Sequence, residues 1–212
     1  MTQSGDRQAF LAQRDVSRET LAGLETYESM LRRWQASINL VGPRTLDHLW
    51  TRHFLDSIQI VDHIGAARHI VDLGSGAGFP GLVLALDLKN NAGTRVTLVE
   101  SNGKKVSFLR AVAHALGLPV DIRLGRIEEI VPSLGPADLV TARALAPLTT
   151  LLGWSEPLLK SGAVALFPKG RDLDKELVEA ARCWSFRHTV LPSIVEPDSV
   201  LIRLTDVSRI DA

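Results

Sequence analysis

Residues Ile70–Leu86 read IVDLGSGAGFPGLVLAL: an apolar run carries an acid, Asp72, and Gly74, Gly76 and Gly78 follow at alternate positions. A mostly apolar run of this length fits a strand buried on both faces, and Pro80 suits the first turn of a helix starting near Gly81. Glycine admits positive φ and lets a ligand come close to the backbone. Strand, bare turn and helix together predict a ligand site beyond the carboxyl end of the strand.

The same rhythm continues along the chain. Strands are predicted at His69–Leu73, Arg95–Glu100, Val120–Arg123, Leu139–Ala142 and Ala163–Phe167. Helical patterns lie between them at Gly81–Leu88, Lys104–Leu116, roughly Pro147–Leu159, and Leu173–Cys183. This alternation predicts a parallel sheet covered on both faces. Phe186–Leu191 and Ser199–Leu204 are joined only by PSIVEPD, too short for a helical crossover, so they read as an antiparallel pair at the sheet edge. The expected fold is α/β: a doubly wound, mostly parallel seven-stranded sheet with an antiparallel last strand. Ahead of it, residues 17–36 place Leu21, Leu24, Met30, Leu31 and Trp34 at helical spacing, with Ser17 as a candidate N-cap. A second helix is predicted from about Thr45 to Ile64. The chain thus divides into a helical extension over 1–68 and a ligand-binding unit over 69–212, with no role assigned to the first fifteen or so residues.

Composition narrows the class. A chain of 212 residues that is 45% hydrophobic can bury a substantial core. No apolar run reaches the roughly 18 residues of a membrane span, and the polar start MTQSGDRQAF lacks the apolar segment of a signal peptide. Cys183 is the one cysteine, which excludes an internal disulfide and a CxxC site, and no metal site is expected. These features predict a cytoplasmic protein without membrane attachment, and nothing suggests an oligomer, so a monomer is expected. The 24 basic and 24 acidic residues balance, so any contact with nucleic acid must come from a local patch.

Two cofactor classes compete for the turn. Gly76-Ala-Gly78-Phe-Pro-Gly81 is literally GxGxxG, and Glu100 stands nineteen residues beyond Gly81, as in a dinucleotide site. A dinucleotide turn should start at the strand end with Gly74 and Gly76, however, which puts the third glycine where Phe79 stands. An acid at Asp72 is also misplaced beside a pyrophosphate. It suits a cation. S-adenosylmethionine carries an ammonium and a sulfonium and no phosphate, so Asp72 near the ammonium, glycines under the methionine and Glu100 on the ribose diol make a coherent site.

IVDLGSGAGFPG resembles the cofactor loop of RsmG, the glucose-inhibited division protein B (GidB) family of small-subunit ribosomal RNA guanine-N7 methyltransferases. Further matching runs are Trp34 with Asn39-Leu40, Arg52-His53 with Asp56-Ser57, Lys104-Lys105 with Phe108-Leu109-Arg110, Gly125-Arg126-Ile127-Glu128, Arg143-Ala144 and Lys169-Gly170. The resemblance runs from about residue 20 to the end. It implies a class I, Rossmann-like methyltransferase fold, S-adenosyl-L-methionine as cofactor, and ribosomal RNA or the assembled small subunit as partner. It also implies cofactor contacts at Gly74 and Phe79, adenine contacts at Ile127 and Glu128, and a cofactor-side role for Arg143.

On the substrate side, Arg143 ends the fourth strand, where it can grip guanine O6, a phosphate or the methionine carboxylate, or pair with Asp72 or Glu100. Arg52 and Asp56 stand four apart, as in a helical ion pair, and His53 faces either the substrate opening or the core. Lys104, Lys105, Lys169 and Arg171 are expected on the carboxyl-end rim beside RNA phosphates or solvent. Phe79 and Trp50 are the candidate exposed rings for base stacking. The competing functions are a methyltransferase acting on a small molecule or a protein, and an NAD-dependent oxidoreductase.

Overall fold

The computed structural model describes residues 3–210. Its sheet has seven strands in the order β3-β2-β1-β4-β5-β7-β6. They are β1 (His69–Leu73), β2 (Arg95–Glu100), β3 (Val120–Leu124), β4 (Leu139–Thr141), β5 (Val164–Lys169), β6 (Trp184–Pro192) and β7 (Val200–Arg209). The first five are mutually parallel, and β7 runs antiparallel to both β5 and β6. The predicted parallel sheet with an antiparallel last strand is therefore present. Strand order reverses between β1 and β4, and the Gly74–Pro80 turn leaves β1 beside that point.

The helices are α1 (Gln3–Gln13), α2 (Arg18–Gln35), α3 (Asp56–Ile58), α4 (Gly81–Asp87), α5 (Gly103–Leu116), α6 (Ile127–Ile130), α7 (Leu148–Lys160) and α8 (Leu173–Ala180). Alternate residues of β1 feed two apolar layers, as strand geometry requires. Ile70 belongs to one, with Leu24, Tyr27 and Leu31 of α2, Leu82 and Val83 of α4 and Phe108 of α5. Val71 and Leu73 belong to the other, with Leu148, Leu151 and Leu152 of α7 and Trp184. The N-terminal helices are thus continuous with the apolar layer on one face of the sheet. Among the described residues, no helix is long and apolar enough to cross a membrane.

Two departures from expectation lie in the N-terminal part. The first residues, for which no role was assigned, include α1, whose Phe10 is fully buried. The buried carboxylate of Asp6 accepts from Trp50 N at 2.8 Å, Thr51 N at 3.3 Å and Thr51 Oγ1 at 2.5 Å. The helix expected from Thr45 to Ile64 is not one uniform helix. It passes through a 3₁₀ turn (Pro43–His48), π-helix (Trp50–Leu55), α3 and a second 3₁₀ turn (Gln59–His63). A π stretch is rarely favoured by local sequence and depends on tertiary contacts. The Asp6 carboxylate, holding two successive N–H groups at its start, is one such contact.

Candidate functional site

The glycine turn is tied down from several sides. Ser75 N donates to Val99 O at 3.0 Å, and Gly78 N and Phe79 N donate to Ser75 O at 2.7 and 3.2 Å. Gly74 and Gly76 sit at φ +64° and +58°, where an L side chain is strained. Glu100, at the end of β2, is buried; its Oε2 accepts from Gly76 N at 2.8 Å and its Oε1 from Asn102 N at 2.8 Å. Asn102 in turn caps α5, its side chain accepting from Lys104 N and Lys105 N.

A cavity of about 380 Å³ opens above this turn. Its walls bring together Gly74, Gly76, Phe79, Glu100, Ile127, Glu128 and Arg143, with Lys105 at its edge. Asp72 and Gly78 stand behind that wall. Asp72 is fully buried; its Oδ2 accepts from Gly81 N at 3.1 Å, while Oδ1 has no hydrogen-bond partner. Burial pushes its carboxyl up to about 7, against the lowering pull of its hydrogen bonds and of Arg143.

Phe79 is not an exposed stacking ring but a buried one, 4% accessible. It stacks on Tyr27 at 5.4 Å and 13° and on His53 at 4.9 Å and 28°, with the Arg143 guanidinium 5.2 Å from its centroid. Trp50 is likewise buried, and its indole N–H donates to Glu28 Oε2 at 2.7 Å. Both rings are held by the helical layer, which needs large apolar bodies there more than the solvent face does. Tyr27 was missed in the sequence reading; its hydroxyl donates to Ala77 O and so pins the turn to α2. The signal for it was position: Tyr27 continues the Leu24–Leu31 stripe of α2.

A second, larger cavity of about 870 Å³ shares His53, Arg143, Ala144 and Leu145 with the first. Ala144 sits at φ +50°, a strained conformation for an alanine, immediately after the arginine. Arg143 pairs with neither Asp72 nor Glu100. Its Nη1 donates to Asp56 Oδ2 at 3.2 Å and Arg52 O at 3.1 Å, and its Nη2 lies 2.6 Å from His53 Nδ1. A guanidinium only donates, so Nδ1 accepts and the proton sits on Nε2, 2.9 Å from Thr45 Oγ1. Burial first, and then the Arg143 and Arg52 charges, lower the His53 pKa to about 3, which keeps the ring neutral.

The expected Arg52–Asp56 ion pair does not form. Asp56 turns inward to Arg143 and to Gln59 Nε2 at 2.9 Å, and Arg52 reaches across to Glu196 Oε1 at 2.6 Å. Burial raises the Asp56 carboxyl and Arg143 opposes that. On the rim, Lys169 Nζ is bound to Glu176 at 2.6 Å and to Ala146 O at 3.2 Å, and Arg171 faces Asp198 at 3.6 Å. Lys104 does not share the rim of these cavities; it lines a separate groove with Arg33 and Trp34.

Comparison with known proteins decides the family. The GidB family model, described as rRNA small subunit methyltransferase G, matches residues 20–201. The chain belongs to this family. A GidB-family relative from Methylorubrum populi, named "Ribosomal RNA small subunit methyltransferase G", is 47% identical over 205 residues, covering 97% of both chains. Among solved structures, an O-methyltransferase from Bacillus cereus crystallised in complex with SAH has a TM-score of 0.60 at 18% identity, covering 86% of this chain and 91% of that one. A Klebsiella pneumoniae protein described as a possible O-methyltransferase gives 0.61 at 14% identity, covering 95% and 96%. These two likenesses are of fold, and that fold is the class I methyltransferase sheet that the family resemblance implies.

Proposed function

We propose that this protein transfers the methyl group of S-adenosyl-L-methionine to N7 of a guanine in small-subunit ribosomal RNA in the cytoplasm. The observation that carries the reading is membership of the GidB family across residues 20–201, a span that contains the glycine turn and both cavities.

The smaller cavity fits the cofactor. Its floor is backbone at Gly74 and Gly76, where added side chains are unfavourable. Glu100 presents a carboxylate, an acceptor-only group suited to a ribose diol, fixed in place by two backbone donors. Ile127 and Glu128 offer an apolar face and an acceptor for adenine, and Asp72 leaves an unpartnered buried oxygen behind the wall, which favours a cation nearby. When bound, S-adenosylmethionine supplies an electrophilic methyl on a sulfonium.

What remains for the chain is orientation. Guanine N7 has an in-plane lone pair and no proton to lose, so no general base is required. The neutral His53, engaged at both ring nitrogens, agrees with that. Arg143 stands where the two cavities meet, held by Asp56 and His53, and from there can grip the cofactor carboxylate or guanine O6. Holding N7 in line with the methyl is an effect worth several kcal/mol.

The test is direct. Purified protein, methyl-labelled S-adenosylmethionine and small subunits from a strain lacking this activity should yield labelled 7-methylguanosine after nucleoside digestion. Label in another nucleoside, or in none, overturns the reading.

A further inference from the structure

The walls of the larger cavity hold Arg52, Arg143, Lys169 and Lys175, and three of these four cations are neutralised from within. Arg52 is paired with Glu196, Arg143 with Asp56 and Lys169 with Glu176. Arg171, beyond it, faces Asp198. A polyanion gains little from charges already spent on carboxylates. Of the four, Lys175 alone has no ion-pair partner among the described residues.

Two further unpaired cations lie together on the other side of the loop spanning residues 36–42. That loop is clamped by Gln35, whose Oε1 accepts from Leu40 N at 3.0 Å and Val41 N at 3.1 Å while its Nε2 donates to Val41 O at 2.9 Å. On one side its Leu40 and Val41 line the cofactor cavity. On the other its Ser37 and Ile38 line an open groove of about 660 Å³, with Arg33, Trp34, Lys104 and Ser107. Arg33 and Lys104 are exposed, and neither side chain has an ion-pair partner among the described residues. No carboxylate lines the groove. Trp34, half-buried, lines the same groove; it meets Phe108 edge-on at 5.7 Å and 62°, which fixes its plane, and its indole N–H has no partner among the described residues.

We propose that this groove between α2 and α5 is a docking site for single-stranded RNA, in which a base of a nucleotide flanking the target stacks on Trp34 and its phosphates lie between Arg33 and Lys104. Two unopposed positive charges beside a fixed aromatic ring are the combination that binds an unpaired nucleotide. In a chain of zero net charge, such a local pair is what can hold a polyanion. The inference rests on the RNA methyltransferase reading and extends it: a guanine seated at the Arg143 junction leaves its neighbours to run over the rim, and the rim on the loop side leads to this groove.

The experiment uses the full chain and a fluorescein-labelled single-stranded RNA dodecamer, with binding followed by anisotropy from 50 to 200 mM KCl. The charge variant R33Q/K104Q should lower the slope of log affinity against log salt by about 1, as loss of one to two phosphate contacts requires. Trp34→Leu should weaken binding roughly tenfold and Trp34→Phe should restore most of it. Circular dichroism checks folding, and if Trp34→Leu unfolds, the charge variant decides alone. Affinity for S-adenosylhomocysteine by calorimetry should not change in the charge variant, while KM for small-subunit RNA rises with kcat nearly constant. A parent that methylates ribosomal RNA, with a charge variant of unchanged salt slope, overturns the groove alone. A parent that labels small subunits but binds no RNA at 50 mM KCl also overturns the groove alone, whereas a parent that forms no 7-methylguanosine in small subunits overturns the methyltransferase reading beneath it. A variant impaired only on assembled subunits, with RNA affinity intact, also overturns the groove, since the partner would then be a protein.

Discussion

Replacing His53 by Asn should change how stability depends on pH, and the direction follows from two buried groups with opposite shifts. The His53 pKa falls from 6.5 to about 3, so below neutrality the unfolded chain binds a proton there that the native state refuses. Its contribution is complete above pH ~6.5 and is lost as pH falls toward 3, at about 1.4 kcal/mol per pH unit. Asp72 acts the other way. Its carboxyl rises from 3.8 to about 7, so between those values the native state holds a proton that the unfolded chain lacks, and stability falls as pH rises. Between about pH 4 and 6.5 the two slopes oppose and largely cancel in the parent protein. His53→Asn keeps an acceptor toward Arg143 and cannot titrate. The loss of ring stacking on Phe79 shifts its curve by a constant, while the slope reveals Asp72. The assay is urea unfolding of ligand-free protein at pH 5.0 and 6.5, analysed by linear extrapolation. The variant-minus-parent difference in unfolding free energy should become more negative by about 2 kcal/mol from the lower pH to the higher. A difference that is equal at the two pH values refutes the reasoning.

Asp72→Asn should produce the mirror-image slope in the same urea series, with stability rising with pH. A cationic cofactor near Asp72 should draw the proton from its carboxyl, so calorimetry with S-adenosylhomocysteine at pH 7 should give enthalpies that differ between phosphate and Tris buffers; in Asp72→Asn that difference should vanish. Asp6→Ala strips two backbone N–H groups and a hydroxyl of a buried acceptor and should cost about 2–4 kcal/mol in urea unfolding, with Asp6→Asn recovering part of it. In Gly81→Ala the new Cβ meets the Leu98 side chain and comes 2.6 Å from Asp72 Oδ2; a melting curve should show destabilisation of about 1–3 kcal/mol.

The sheet was legible because its central strands are buried on both faces and therefore spelled as mostly apolar runs; β1 and β2 have the bounds read from sequence. The glycine turn was legible for a related reason, since positive φ and close approach leave few residue types to choose from. Pairings across the cleft were not. Asp56 stands four residues from Arg52, and local spacing favours that pair, but Asp56 is half-buried and paired with Arg143, which lies just past β4. The π stretch was hidden in the same way, because Asp6, which holds its first N–H groups, lies 44 residues upstream of Trp50. Exposure of aromatic rings was misread for Phe79 and Trp50 because their neighbours, Tyr27 and Phe10, come from helices whose packing the sequence does not state.

The placement of β7 between β5 and β6 has a consequence for the order in which the molecule can be made. Among the described residues, Val200–Arg209 is the strand that bridges the parallel part of the sheet to β6, although it follows β6 in the sequence. A nascent chain that has emerged only as far as Pro192 carries β5 and β6 with unpaired edges facing an unfilled slot, and such edges are templates for wrong pairing. Closure of the sheet therefore waits on β7, whatever has formed before it, and until β7 is in place β6 has no partner in the parallel part of the sheet.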